Sequence, residues 1–224
     1  MQSNKNYVPT QTINKIMNDT KNKLITMLQL QGEMNCWVHE NWTDQGFEWY
    51  RAIWIEASEM LEHYGWKWWK HQQPDLPQVK LEVIDIVHFS LSIELQSSKP
   101  LEDIAKQVAD SFTQPRATED IKTTIELLAE ETLKDQSAHF DIIAGLMQHL
   151  GMDLDELYKR YVGKNVLNIF RQDNGYKTGE YTKMWNGRED NECLEDILDT
   201  LDVNSASYRD DVYSSLSNQY SAVQ

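Results

Sequence analysis

Apolar residues recur at three- and four-residue intervals along nearly the whole chain, the spacing that lines one face of a helix. Ile13, Ile16, Met17, Leu24, Met27, Leu28 and Met34 predict a helix over 13–37. A second covers 47–63 and stops near Gly65, and HQQPDLP (71–77), with its two prolines, is a loop. Residues 78–96 carry Val79, Leu81, Val83, Ile84, Ile86, Val87, Leu91, Ile93 and Leu95. That helix is apolar on most faces and belongs at the centre. SSKP (97–100) breaks the pattern, with Ser98 or Lys99 placed to open a helix over 101–112, and Pro115 interrupts again. Thr118 is the expected cap of 119–134, and 137–150 ends at Gly151. Asp153 caps 154–172, and Asn174-Gly175 stops it. Residues 175–191 read as a long loop and 192–201 as a short acidic helix. The tail from Asn204 fits either a helix or disorder. No alternating strand, repeat or low-complexity tract stands out. The expected fold is an all-α helical bundle. It divides into a polar N-terminal extension (1–18), a single all-α domain (19–203) and a Ser/Asp-rich C-terminal tail (204–224).

Composition narrows the function. A net charge of −15 repels phosphate backbones and anionic membranes, so no nucleic-acid or membrane partner is expected. The two cysteines, Cys36 and Cys193, are far apart and read as reduced thiols of a cytoplasmic protein. The N-terminus lacks the apolar stretch of a signal peptide. No window approaches the roughly 20 apolar residues of a membrane span. Tryptophan is abundant, at eight residues, most of them between Trp42 and Trp69. Such a cluster builds a core or a pocket for a flat ligand.

Four acids carry the chemistry. Glu56 and Glu59 are three apart on one predicted helix, and Glu82 and Asp85 repeat the spacing on the next. Two helices joined by a Pro-containing loop pack antiparallel, so the pairs can face each other. E-x-x-E alone is common on solvated helix faces. Glu82 and Asp85, however, interrupt the most apolar helix, where acids need a partner or a metal. Two ionised carboxylates about 5 Å apart repel by roughly 3 kcal/mol at an effective dielectric near 20. An all-oxygen donor set suits a hard ion, Mg²⁺ above all, with substrate phosphates as further ligands.

Other groups suit the rest of a nucleotide. His88 and Phe89 follow Asp85 by one turn, where a flat ring could stack on a base, although a plain core Phe and a satisfied His fit the same pattern. Lys164, Asn168 and Arg171 form a stripe at i, i+4 and i+7, suited to clamping phosphates. The following loop adds Lys177, Tyr181, Lys183 and Trp185. A solvated face near a helix C-terminus also favours bases. Gln31 and Asn35, at i and i+4, can donate and accept toward a pyrimidine edge. Gly32 lies between them and costs about 1 kcal/mol in a helix.

LQGEMN, EASE, GWKWWK, EVIDIVHF and GKNVLNIFRQDNGYKTGEY-x-K-x-WNGREDNE, in that order, resemble the dimeric all-α dUTPases of the all-α NTP pyrophosphatase superfamily. The resemblance covers residues 24–192 and is thinnest over 97–150. The acid pattern is common to the superfamily, whereas GWKWWK, VHF and KNVLNIFRQDNGY point to the dUTPase branch. The resemblance implies hydrolysis of dUTP, and of dUDP, to dUMP, with water attacking the β-phosphorus. It implies two or more Mg²⁺ on Glu56, Glu59, Glu82 and Asp85, with Glu56 as the catalytic carboxylate that orients or deprotonates water. Lys164, Asn168, Arg171 and Lys183 would contact phosphates, with Lys67 and Lys70 as additions. Gln31, Asn35, His88, Phe89 and a tryptophan of the 66–69 cluster (Trp66 or Trp69) would line the base and sugar pocket. A homodimer is implied as well. The alternatives are an all-α pyrophosphatase for another nucleotide, such as dCTP or a modified one, and a helical regulatory protein without activity. The second would predict loss of an acid or of the basic stripe, and all are present.

Overall fold

The computed structural model describes residues 10–97 and 99–222, with the side chains of 10–17 left aside. Ile13, Ile16 and Met17 therefore lie outside the described side chains, and Ser98 lies outside altogether. The helices are α1 (Thr10–Val38), α2 (Trp49–Tyr64), α3 (Leu76–Leu95), α4 (Leu101–Phe112), α5 (Ile121–Asp135), α6 (Phe140–His149), α7 (Leu154–Asp173), α8 (Asp190–Thr200) and α9 (Tyr208–Ser221). The protein is an all-α helical bundle.

α3 packs against α1, α2, α4, α6 and α7. Its start follows from sequence: Asp75 caps it by accepting the Gln78 N–H, and Pro77 sits in the first turn, where no donor is needed. The α2–α3 turn is made by Gly65 at φ 90°, a conformation L side chains avoid, and a Cβ there would meet Gln72 at 2.8 Å. Beyond it the Asp75 N–H donates to His63 O at 2.9 Å. His63 next meets Glu82, and Phe89 stacks on Trp49. Partners fall along α2 as they rise along α3, so the two helices run antiparallel.

α7 starts at the predicted cap, Asp153, whose carboxylate accepts the Glu156 N–H at 2.8 Å. α5 does not start where expected. Asp120, not Thr118, is its cap and accepts the Thr123 N–H; the Thr118 hydroxyl donates to Asp120 O instead. Both residues are good caps, but it is the extended Asp120 whose carboxylate reaches the Thr123 N–H. α6 begins three residues later than predicted, because Ser137 and His139 bond back to Asp135 and hold a turn. Pro100, not Lys99, precedes the first residue of α4, and the Lys99 ammonium goes to Gln107.

The 175–191 segment contains structure that alternation could not reveal. Met184–Trp185 (β1) pairs antiparallel with Arg188–Glu189 (β2) across Asn186-Gly187, both at positive φ. Asn-Gly is the preferred two-residue hairpin turn, and its mirror-image twist suits the strands. The tail left open by sequence forms α9. Tyr208, Val212, Leu216 and Tyr220 recur every four residues as a buried stripe, and α9 packs on α7 and α8. α7 and α8 approach closely at Gly163, where a Cβ would lie 2.6 Å from Leu198 Cδ2.

Candidate active site

The spacing of three within each acid pair brings the pairs face to face. Carboxylate oxygens of Glu56, Glu59 and Glu82 lie within 4.8 Å of one another. Glu82 is buried and meets His63 Nε2 at 3.5 Å. Burial first, and the Asp85 charge second, push the carboxyls of Glu56 and Glu82 above the ordinary carboxylate range. Two carboxyls crowded in this way disfavour ionising together when no cation neutralises them. Asp85 stands apart from that trio and accepts from Lys164 Nζ at 2.8 Å.

These groups open onto a cavity of about 620 Å³, walled by the acids on one side and by Lys164, Arg171 and Lys183 on the other. Lys164 is buried and also donates to Asn191 Oδ1 at 3.1 Å. Arg171 is held by Asp190, and Lys183 lies exposed with its ammonium 5.5 Å from the Tyr176 ring centre. Asn168 does not line the cavity; its Oδ1 accepts from Arg171 Nη1 at 3.2 Å. His63, Gln78, Glu189, Asn191 and Glu192 also line it and were missed from sequence. His63 could have been found, since it stands at i+4 from Glu59 on the same helix face. Glu189 and Glu192 form the reciprocal cap of α8, and that S/T-free version of the capping box is easy to overlook.

One turn along α3 from Asp85, a second buried cluster forms. Gln31 Oε1 accepts the Tyr161 hydroxyl at 2.7 Å and lies 2.7 Å from His88 Nδ1. An amide oxygen only accepts, so His88 carries its proton on Nδ1. Gln31 Nε2 then donates to Asn35 Oδ1, Asn35 Nδ2 to Ser92 Oγ, and Ser92 Oγ to His88 O. The network thus has one direction throughout. His88 stacks on Tyr161 with ring centres 4.0 Å apart. Burial pushes its imidazole down to about 4, so it is neutral, and its buried Nε2 is an acceptor with no partner among the described residues. Gly32 does not disturb this: α1 runs through it, and the space beside it is open.

The aromatics divide. Phe89 stacks on Trp49, a residue missed from sequence although it lies on α2 one element away. Trp66 and Trp69 stand outside the carboxylate cavity, packed edge to face on each other, 42% and 57% exposed. The Trp66 indole donates to Glu62, which Lys67 also meets. Lys70 and Lys177 do not line the cavity either.

The structure is an all-α bundle in which clustered carboxylates from two antiparallel helices share a cavity with the side chains of Lys164 and Arg171. A family model described as dUTPase matches residues 23–176, more than half of the chain, and the chain belongs to that family. Membership indicates dUTP diphosphatase activity, the hydrolysis of dUTP. No curated protein matches the chain. Among the described residues, no helix is long and apolar enough to cross a membrane.

Proposed function

We propose that the protein is a Mg²⁺-dependent hydrolase that converts dUTP, and dUDP as well, to dUMP, with water attacking the β-phosphorus. The observation that carries this reading is the convergence of carboxylate oxygens from Glu56, Glu59 and Glu82 within 4.8 Å of one another. Three carboxylates so close, two of them sheltered from solvent, are a poor structural device but a good ligand set for a hard divalent cation. Their oxygen donors fit Mg²⁺, which Glu56, Glu59, Glu82 and Asp85 would hold. When bound, the ion supplies neutralising charge at the phosphate oxygens and at the attacking water.

The remaining work falls to the chain. Glu56, facing the cavity from α2, orients the water and accepts its proton. Lys164 and Arg171 take up the charge that builds on the leaving phosphate, with Lys183 and Asn168 as further phosphate contacts. Gln31, Asn35, His88 and Phe89 line the base and sugar side, and the one-way hydrogen-bond network sets which atoms donate and which accept. Trp66 and Trp69 reach that side only if their exposed segment folds inward. The protein acts as a cytoplasmic homodimer; Cys36 and Cys193 are free thiols, in keeping with a reducing compartment.

The test is hydrolysis of dUTP, dUDP, dTTP, dCTP and UTP with and without Mg²⁺. Release of dUMP and phosphate from dUDP, only with Mg²⁺, is expected. Inertness toward dUDP with turnover of another triphosphate would overturn the assignment.

A further inference from the structure

The segment beyond the family match supplies the group that holds Arg171. Asp190, the first residue of α8, is 0% exposed and does not line the cavity. Its two oxygens accept from Arg171 Nε at 2.8 Å and Nη2 at 2.7 Å, a bidentate pair. Oδ2 also accepts the Tyr181 hydroxyl at 2.8 Å, and the Asp190 N–H donates to Lys183 O at 2.8 Å. Tyr181 in turn stacks on Tyr220 of α9, with ring centres 5.1 Å apart. The Tyr220 hydroxyl accepts the Thr182 N–H at 3.3 Å.

Arginine has five N–H groups on a planar fork. Asp190 occupies the inner edge, while Asn191 and Asn168 accept from Nη2 and Nη1. A guanidinium fixed on three sides has little rotamer freedom left to lose when an anion arrives, and its direction is set beforehand. Asp190 sits nineteen positions from Arg171 and makes no contact with the cavity, so it can act only through its partner.

We propose that Asp190 is a positioning residue for Arg171, seated by Tyr181 and braced by Tyr220 of α9, so that the guanidinium meets the substrate phosphates in one orientation. The inference rests on the phosphate role of Arg171 given above. It makes α9 part of the machinery rather than an appendage.

Two measurements on the full chain test it. In ¹⁵N-arginine-labelled protein without nucleotide, the Arg171 Nε–H signal, identified by its loss in Arg171→Lys, is expected to be protected from exchange. Asp190→Asn brings it into fast exchange. In the hydrolysis assay, Asp190→Asn lowers kcat by about 10- to 100-fold, and adds no further loss in an Arg171→Ala background. Should Asp190→Asn fail to fold, Tyr181→Phe removes one hydrogen bond to Asp190, and a loss in kcat of about threefold or more, absent in Arg171→Ala, is expected. Losses that multiply with Arg171→Ala, or an unprotected Arg171 signal in the wild type, overturn the proposal. A wild type inert toward dUTP but with the protected signal would refute the dUTP reading and leave the clamp standing.

Discussion

Glu82→Gln tests the acid cluster most directly, because it should stabilise the metal-free protein while abolishing its activity. Glu82 is 7% exposed, with carboxylate oxygens of Glu56 and Glu59 within 4.8 Å. At that separation two charges repel by about 3 kcal/mol at an effective dielectric near 20. The folded carboxyl is raised by burial and by Asp85, so its contribution to stability is intact below the ordinary carboxylate range and lost as pH rises through the raised value. At pH 8 in EDTA the wild type therefore bears a cost of about 2–3 kcal/mol that glutamine, neutral and nearly isosteric, does not. The variant should melt about 4–12 °C higher under those conditions. Mg²⁺ should close that gap. At a concentration near 100 times its Kd it adds about 2.7 kcal/mol to the wild type, and little to a variant lacking a ligand. The assay is thermal unfolding in EDTA and in Mg²⁺, beside dUTP turnover. A Glu82→Gln protein that melts below wild type in EDTA, with no Mg²⁺ response in either, would show that the carboxylates are held by partners within the chain.

His88 titrates in the opposite sense. Its folded pKa is depressed to about 4, so its contribution is full above the ordinary histidine range and is lost as pH falls toward that value. Urea unfolding should show a loss of about 2 kcal/mol between pH 7 and 4.5, reduced in His88→Gln. Lys164→Met leaves Asp85 without its cation and should cost about 3 kcal/mol as well as turnover, part of the stability returning on addition of Mg²⁺. Gly163→Ala presses on Leu198 and should destabilise by about 1–3 kcal/mol in urea, with Leu198→Ala in the same chain relieving the clash.

The residues that were legible in the sequence are those whose local pattern was inconsistent. Glu82 and Asp85 stand out because an apolar helix does not tolerate acids without cause, and that conflict marked the cavity before any fold was known. The cap of α7 at Asp153 was legible for the opposite reason, a strong local preference with no rival nearby. At α5, Thr118 and Asp120 compete as caps, and the hydrogen bonds that distinguish them, Thr123 N–H to Asp120 and Thr118 hydroxyl to Asp120 O, appear only in the fold. Asp190 and Asn191 were not legible, because their partners lie 19 and 27 positions away across a hairpin. Tyr161 reads as a core aromatic, and nothing in its neighbours announces that its hydroxyl fixes the Gln31 amide. The 66–69 tryptophans were legible as an anomaly, but their exposure depends on a loop whose path sequence does not set.

The two halves of the proposed site are tied together by two buried helices, α3 through Asp85 and His88 and α7 through Lys164 and Tyr161. Asp85 faces Lys164, His88 faces Gln31, and Ser92 faces Asn35. From 85 to 92 a helix advances by about 10 Å. The distance between the phosphate-binding end and the base-reading end is therefore set by buried helices, of which α3 packs on five others, not by loops. A loop could move the phosphate side through Lys183 or Asp190, but it cannot change that span. Discrimination among nucleotides should accordingly be insensitive to changes in 175–191, while turnover should not be. Variants of Asp190 should lower kcat equally for dUTP and any slower substrate, and variants of Gln31 or Asn35 should change the ratio between them. A shift in that ratio from Asp190→Asn would mean that the two ends are coupled through the loop, and that the buried helices α3 and α7 do not fix the span.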